Sequence, residues 1–248
     1  MKSESKECCY FCVKPATSRE HVPPKQMFKG FDCDSITVPS CDEHNSKKCG
    51  HDQAIVSAFL IPLQSGRYKY PLEPEIAKAI ELALPSFERS KRFAIPSRFI
   101  KDPPKYLEDL PDLAHLERSV KATDWVRQLT AGLVYNKIEV SSTTISWSKA
   151  TIWSPDWFPT YARGPISHHE AVEEIQIKQK QRAVLDKLNW REGWSAHPRP
   201  YPPMIYTFHV HVFPDKYVMF RHKFYNRYTW YVTFKASKKC IAKLTMGL

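Results

Sequence analysis

The chain lacks an apolar run of the length a membrane-spanning helix needs, about 20 residues. Its longest, Ala54–Leu63, is short and interrupted. The opening MKSESKE has no apolar core of the kind a secretory signal carries. These absences predict a cytoplasmic protein with no membrane partner. Glycine is sparse, 7 residues against 20 prolines, which predicts extended, punctuated connections rather than long unbroken helices. Internal repeats and low-complexity tracts are missing. So is acid from residues 216–248, where eight Lys or Arg fall among Tyr225, Tyr228, Trp230 and Tyr231. The cysteines number seven, an odd count, and six of them lie in the first fifty residues. That pattern fits reduced thiols and metal ligands, not a secreted disulfide framework.

What is present bounds the rest. The 248 residues are 42% hydrophobic, enough for a real core in one large domain or two modest ones. The formal net charge of +11 favours a polyanionic partner.

The chemical information is concentrated between Cys8 and Asp52. Two short ligand pairs bracket this stretch, Cys9-x-x-Cys12 and Cys41-x-x-His44. A gap of two residues lets both ligands of a tight turn reach one ion, and two such turns complete the tetrahedron Zn²⁺ prefers. Cys8 and Cys49 are alternative ligands at looser spacing. So small a segment buries little core of its own, so metal binding would supply folding free energy.

Glu20-His21 lies between the pairs and is followed by Val22-Pro23-Pro24. Proline fixes φ and lacks an N–H, so His21 is predicted at the end of an extended piece and not inside a helix. A neutral imidazole can take a proton from water near pH 7. Glu20 and Asn45 offer oxygen atoms to a hard cation.

The order C-x-x-C, Glu-His-Val-Pro-Pro-Lys, Val-Pro-Ser-Cys-x-x-His-Asn-x-x-Lys resembles the HNH endonuclease family, whose core is a zinc-bearing ββα-metal unit. The resemblance covers about residues 8–60. It implies that His21 activates water, that Glu20 and Asn45 bind a catalytic Mg²⁺ or Mn²⁺ with Asp52 as a weaker additional ligand, and that Lys48 matches the lysine of the last motif. Three features depart from the family. His44 stands where Cys is usual, the middle Asn has no clear counterpart (Asp34 and Ser35 are the nearest polar residues), and Asp52 falls outside the motif proper.

Elsewhere the pattern is structural. Ile36–Val38 predicts a strand pairing with the Glu20-His21 segment, and Asp52–Leu63 a helix. A second helix is predicted from Pro74 to Leu84, a third from Asp112 to Leu133, and a charged one from Ser167 to about Leu188. Residues 137–153 read as strand, and Met204–Phe234 as a three-stranded antiparallel meander with turns at Pro214-Asp215 and Asn226. His209 and His211 share a face of its first strand, as a polar surface far more readily than as metal ligands.

The expected fold class is α+β: an HNH ββα-metal module over residues 1–65, then an α+β domain over 66–248 with a C-terminal meander. The expected function is hydrolysis of phosphodiester bonds in nucleic acid, DNA rather than RNA, in a defence or restriction setting. Lys48, Lys238, Lys239 and Lys243 are the expected nucleic-acid contacts. A non-catalytic zinc-stabilised nucleic-acid binder, or a module docking a protein partner through the C-terminal domain, shares the clip and the charge. The binder has no use for Glu20, His21 and Asn45, whereas the docking module would leave that chemistry intact but gated.

Overall fold

The computed structural model describes residues 7–48, 52, 55–56, 59–60, 63, 72–90, 120–138, 145–154, 168–194 and 200–246. Cys49, residues 112–119 and 139–144, and Ser167, all given expectations above, lie outside the described residues.

Strands β1 (Ser18–Val22) and β2 (Ile36–Ser40) form an antiparallel pair. Glu20 stands opposite Val38, His21 opposite Thr37 and Val22 opposite Ile36. Side chains alternate along a strand, and here Glu20 and Val22 face inward while Arg19 and His21 face out. Beyond the hairpin, Asp52, Ile55, Val56, Phe59, Leu60 and Leu63 are helical. All but Asp52 are buried, the spacing of a helix with one apolar face.

Helix α1 (Pro74–Ser90) continues through Pro85, past the predicted end at Leu84. Its buried face is Ile76, Ala79, Ile80 and Ala83. Helix α2 (Val120–Ile138) is the predicted third helix, running five residues beyond Leu133. Ile138 therefore ends a helix and does not start a strand. Trp147 also departs from the strand prediction, lying in a 3-10 turn before the short strand β3 (Thr151–Trp153). Helix α3 (His168–Asp186) is the charged helix.

The second sheet adds β4 (Arg191–Glu192), β5 (Tyr206–Val212), β6 (Tyr217–Phe224) and β7 (Tyr228–Lys235), in the antiparallel order β3-β7-β6-β5-β4. The predicted meander is β5-β6-β7. Its β6–β7 turn holds Tyr225 and Asn226 at φ 50° each. Asn tolerates that region; Tyr does not, and full burial of the Tyr225 ring offsets the cost. Helix α4 (Lys238–Thr245), absent from the predictions, closes the described chain, with Ser237 accepting from the Cys240 N–H as its N-cap.

The hairpin and the second sheet share one core. Phe59 stacks on Phe224 and Tyr228 at centroid distances of 5.0 and 4.9 Å, and the Tyr228 hydroxyl donates to the Phe59 carbonyl at 3.0 Å. Burying such a ring contributes roughly 2–3 kcal/mol. Gly132 of α2 lies against β1, where an added Cβ would stand 2.6 Å from Val22 Cγ2. Helix and hairpin backbones are therefore in close approach.

Candidate metal centre and the polar cluster behind it

The metal clip is built by two tight turns fixed to the hairpin. In the first, Cys9 N–H donates to the Lys14 carbonyl at 2.9 Å, and Tyr10 N–H ties the turn to β2 through Pro39 O at 2.8 Å. In the second, the N–H groups of His44 and Asn45 both return to the Cys41 carbonyl at 3.1 Å. A surface ion pair, Lys14 with Glu43, joins the two turns.

The result is a compact cluster of Cys9, Cys12, Cys41 and His44, whose four ligand atoms all lie within 4.8 Å of one another. Cys12 Sγ is 3.8 Å from Cys41 Sγ, and His44 Nδ1 is 3.2 Å from Cys41 Sγ and 3.7 Å from Cys9 Sγ. A tetrahedral site with zinc–sulfur bonds of about 2.3 Å has ligand–ligand edges of roughly 3.8 Å, so these side chains fit structural Zn²⁺. Burial acts to raise the Cys9 thiol, but backbone N–H groups of Cys41, Phe11 and Cys12 bring its pKa below the ordinary value. Cys12 is pushed up to about 12, by burial first and then by the Cys9 charge. The Phe11 ring packs edge-on against His44 at 4.9 Å.

Comparison with known proteins finds no protein-family model, no curated protein and no solved structure that matches this chain. Chemistry must be read from the residues themselves.

Behind the clip lies a buried polar cluster. The Lys48 ammonium pairs closely with Glu20 and is 3.6 Å from Asp52. Ser40 Oγ donates to the other Glu20 oxygen at 3.5 Å, and the Trp125 indole N–H donates to Asp52 at 2.7 Å. Burial raises the Glu20 pKa against the opposing charge of Lys48. The buried Tyr10 phenol is raised well above its ordinary value by burial and then by the Glu20 charge.

Lys48, expected as a nucleic-acid contact, is 6% exposed and turned inward onto Glu20. Two of the three side chains expected to offer oxygen to a catalytic cation are engaged, and the third is held through its amide nitrogen. Glu20 and Asp52 share Lys48, while Asn45 Nδ2 donates to Ser18 Oγ at 2.8 Å and to Arg19 O at 3.1 Å. Among the described residues the Cys/His clip is the one group of His, Cys, Asp and Glu arranged to hold a metal.

His21 stands apart from that cluster, on the outward face of β1. It is half-buried, and its pKa is lowered by burial and then by the charge of Lys25. Arg19 shares its strand face and donates to Thr37 through Nε at 3.2 Å and Nη2 at 3.1 Å. The strand end beside His21 is held from far along the chain. The Tyr201 hydroxyl accepts from Ile36 N–H at 3.0 Å and donates to Val22 O at 2.7 Å, with its ring stacked on Phe28 at 4.7 Å.

Of the expected C-terminal contacts, Lys238, Lys239 and Lys243 lie on α4 and are exposed, and Lys243 Nζ donates to Ile138 O at 3.4 Å. Two polar residues were not singled out by the sequence. Tyr201 gives no local signal. His222 gives one: it interrupts the inward, apolar alternation of Val218, Phe220 and Phe224 on β6. It is fully buried between Thr130 Oγ1 and the Tyr206 hydroxyl, each at 2.9 Å. Thr130 already donates to Val126 O, so it accepts from His222 Nε2–H, and Tyr206 donates to Nδ1. Burial holds this histidine neutral, with its pKa down at about 3.

Proposed function

We propose that this chain is a zinc-stabilised HNH-type phosphodiesterase acting on nucleic acid, DNA before RNA, with His21 as the residue that activates water. One observation carries the reading. The imidazole sits on the open face of a metal-clipped hairpin, neutral at pH 7, beside the cationic side chains of Arg19 and Lys25. A neutral imidazole there accepts a proton as water attacks. The water oxygen bonds to phosphorus, the bond from phosphorus to the leaving sugar oxygen breaks, and that oxygen takes up a proton. Arg19 and Lys25 suit the charge of the phosphodiester. Zn²⁺ at the clip fixes the hairpin and takes no part in this step. The hairpin followed by helical positions from Asp52 onward agrees with the ββα order the resemblance requires.

A second reading has its own support. The neutralisation of Glu20 by Lys48, on the face of β1 opposite His21, suits a zinc-stabilised nucleic-acid binder that does not cut. Cleavage assays of zinc-loaded protein on DNA and RNA, with Mg²⁺ or Mn²⁺ supplied, separate the two. The enzyme reading expects nicking that His21→Ala abolishes while zinc content, fold and binding persist. Equal rates in wild type and His21→Ala would remove His21 from the site. No cleavage of either substrate would leave the binder.

A further inference from the structure

The hairpin that carries His21 is fastened differently at its two ends. Its register runs from Ser18 opposite Ser40 to Val22 opposite Ile36. Cys41, a clip ligand, follows Ser40 directly. At the usual strand rise, the Val22–Ile36 end lies roughly 13 Å along β2 from the clip end. Backbone pairing is not extended there from β1, because Pro23 and Pro24 follow and neither has an N–H. A two-stranded pair is marginal by itself, so this end depends on tertiary contacts. Val22 packs against Gly132 of α2, which places its side chain and leaves its carbonyl to be satisfied.

Tyr201 satisfies it. The hydroxyl accepts from Ile36 N–H at 3.0 Å and donates to Val22 O at 2.7 Å, which uses the single donor a phenol has. Burial pushes the phenol above its ordinary pKa, so the proton that makes the second bond stays in place. The ring is fixed as well. It stacks on Phe28 at 4.7 Å and meets Tyr206 of β5 edge-on at 5.8 Å. Phe28 closes the 3-10 turn Lys25–Phe28. The ring of the residue that latches the strand end beside His21 therefore also holds the turn that begins with Lys25. Tyr201 itself stands on stiff backbone, between Pro200 and Pro202-Pro203. The Pro202 carbonyl accepts from the N–H groups of Ile205 and Tyr206 at 2.9 and 3.0 Å, which joins this stretch to the start of β5.

We propose that Tyr201 is a positioning residue for His21: its hydroxyl holds the strand end on which the imidazole stands, and its ring holds the adjoining turn, so that the imidazole and Lys25 keep a fixed spacing. The inference rests on reading His21 as the base. A general base works only within hydrogen-bond reach of the attacking water, and a displacement of about 1 Å is enough to cost a large part of the rate. Tyr201 acts through the strand and the turn, so its loss should lower turnover and leave affinity unchanged.

The test uses full-length zinc-loaded protein with ¹³C-labelled histidine, the His21 ring signal being assigned through His21→Ala. Tyr201→Phe keeps the ring and removes the hydroxyl. It should shift the His21 signal and raise its titration toward 6.5, as the strand end loosens and burial lessens, with zinc content unchanged. Its kcat for cleavage should fall about tenfold at constant KM. In wild type the Ile36 amide, which donates to the hydroxyl, should exchange at least about tenfold more slowly than in an open chain. An unmoved His21 signal in Tyr201→Phe overturns the proposal, as does an unchanged kcat. Free exchange at Ile36 overturns it even if Tyr201→Phe does not fold. A wild type that cuts neither DNA nor RNA sinks the nuclease reading instead, and the His21 signal still decides whether Tyr201 fixes the imidazole.

Discussion

Trp125 donates its indole N–H to the carboxylate of Asp52 at 2.7 Å. The bond ties α2 to the helical positions after the second knuckle. Through Asp52 it also reaches Lys48 and Glu20. The hairpin is thus anchored to the rest of the chain by a buried charge network as well as by apolar packing.

Lys48→Met should destabilise the protein by about 3 kcal/mol, because it leaves Glu20 buried without its counter-charge. The double variant Lys48→Met, Glu20→Gln should recover part of that loss. Urea unfolding of the single and double variants checks it. An unchanged midpoint in Lys48→Met would mean that the network contributes nothing.

Cys41→Ser should lose zinc and hairpin structure together, since ligand binding and folding are coupled at such a site. A strong chelator should do the same to wild type. Metal content by elemental analysis, read beside circular dichroism, tests this. Zinc-free protein with a wild-type spectrum and melt would refute it.

Cleavage should depend on pH through His21. The base works as neutral imidazole, and its pKa lies below the usual 6.5. Activity should fall as the solution is acidified, with its half-point below 6.5. A half-point above pH 7 would assign the titration to another group.

His222 should make stability acid-sensitive. Its pKa is about 3 in the folded chain against 6.5 for the ordinary group. Between those values the unfolded chain binds a proton that the folded one refuses. Stability from this group is complete above 6.5 and is lost as pH falls toward 3, by on the order of 1 kcal/mol per pH unit. Denaturant midpoints taken from pH 7 to 4 should fall less steeply in His222→Gln. Parallel slopes would acquit His222.

Replacing Lys238, Lys239 and Lys243 by Gln should flatten the salt dependence of nucleic-acid affinity, each lost phosphate contact lowering the slope by about one. Titrations at several salt concentrations measure it. An unchanged slope would move the contact surface elsewhere.

The sequence shows most clearly what is local. Two-residue gaps announced the ligand pairs, Ile36–Val38 announced β2, and the alternation from Tyr206 onward announced the meander. Helix ends were harder to see. Pro85 costs α1 one backbone bond, yet the helix continues to Ser90. In α4 the run Lys238–Thr245 read only as basic charge, although Ser237 ahead of it is a cap. The partner of Lys48 could not be read at all. Spacing relates Lys48 to Asn45 and Asp52 on the same stretch, but Glu20 is 28 positions away on another element, and only the folded chain brings the two charges together.

The Tyr201 hydroxyl that bridges Val22 and Ile36 sets an order of events during synthesis. All four clip ligands, Cys9 to His44, leave the ribosome early, and metal can fasten that end of the hairpin at once. The other end waits for a residue 165 positions beyond Ile36. At about 5–20 residues per second, the strand end beside His21 stays unlatched for roughly ten seconds or more. In a nascent chain the clip ligands can thus come together before the strand end beside His21 has its Tyr201 bridge.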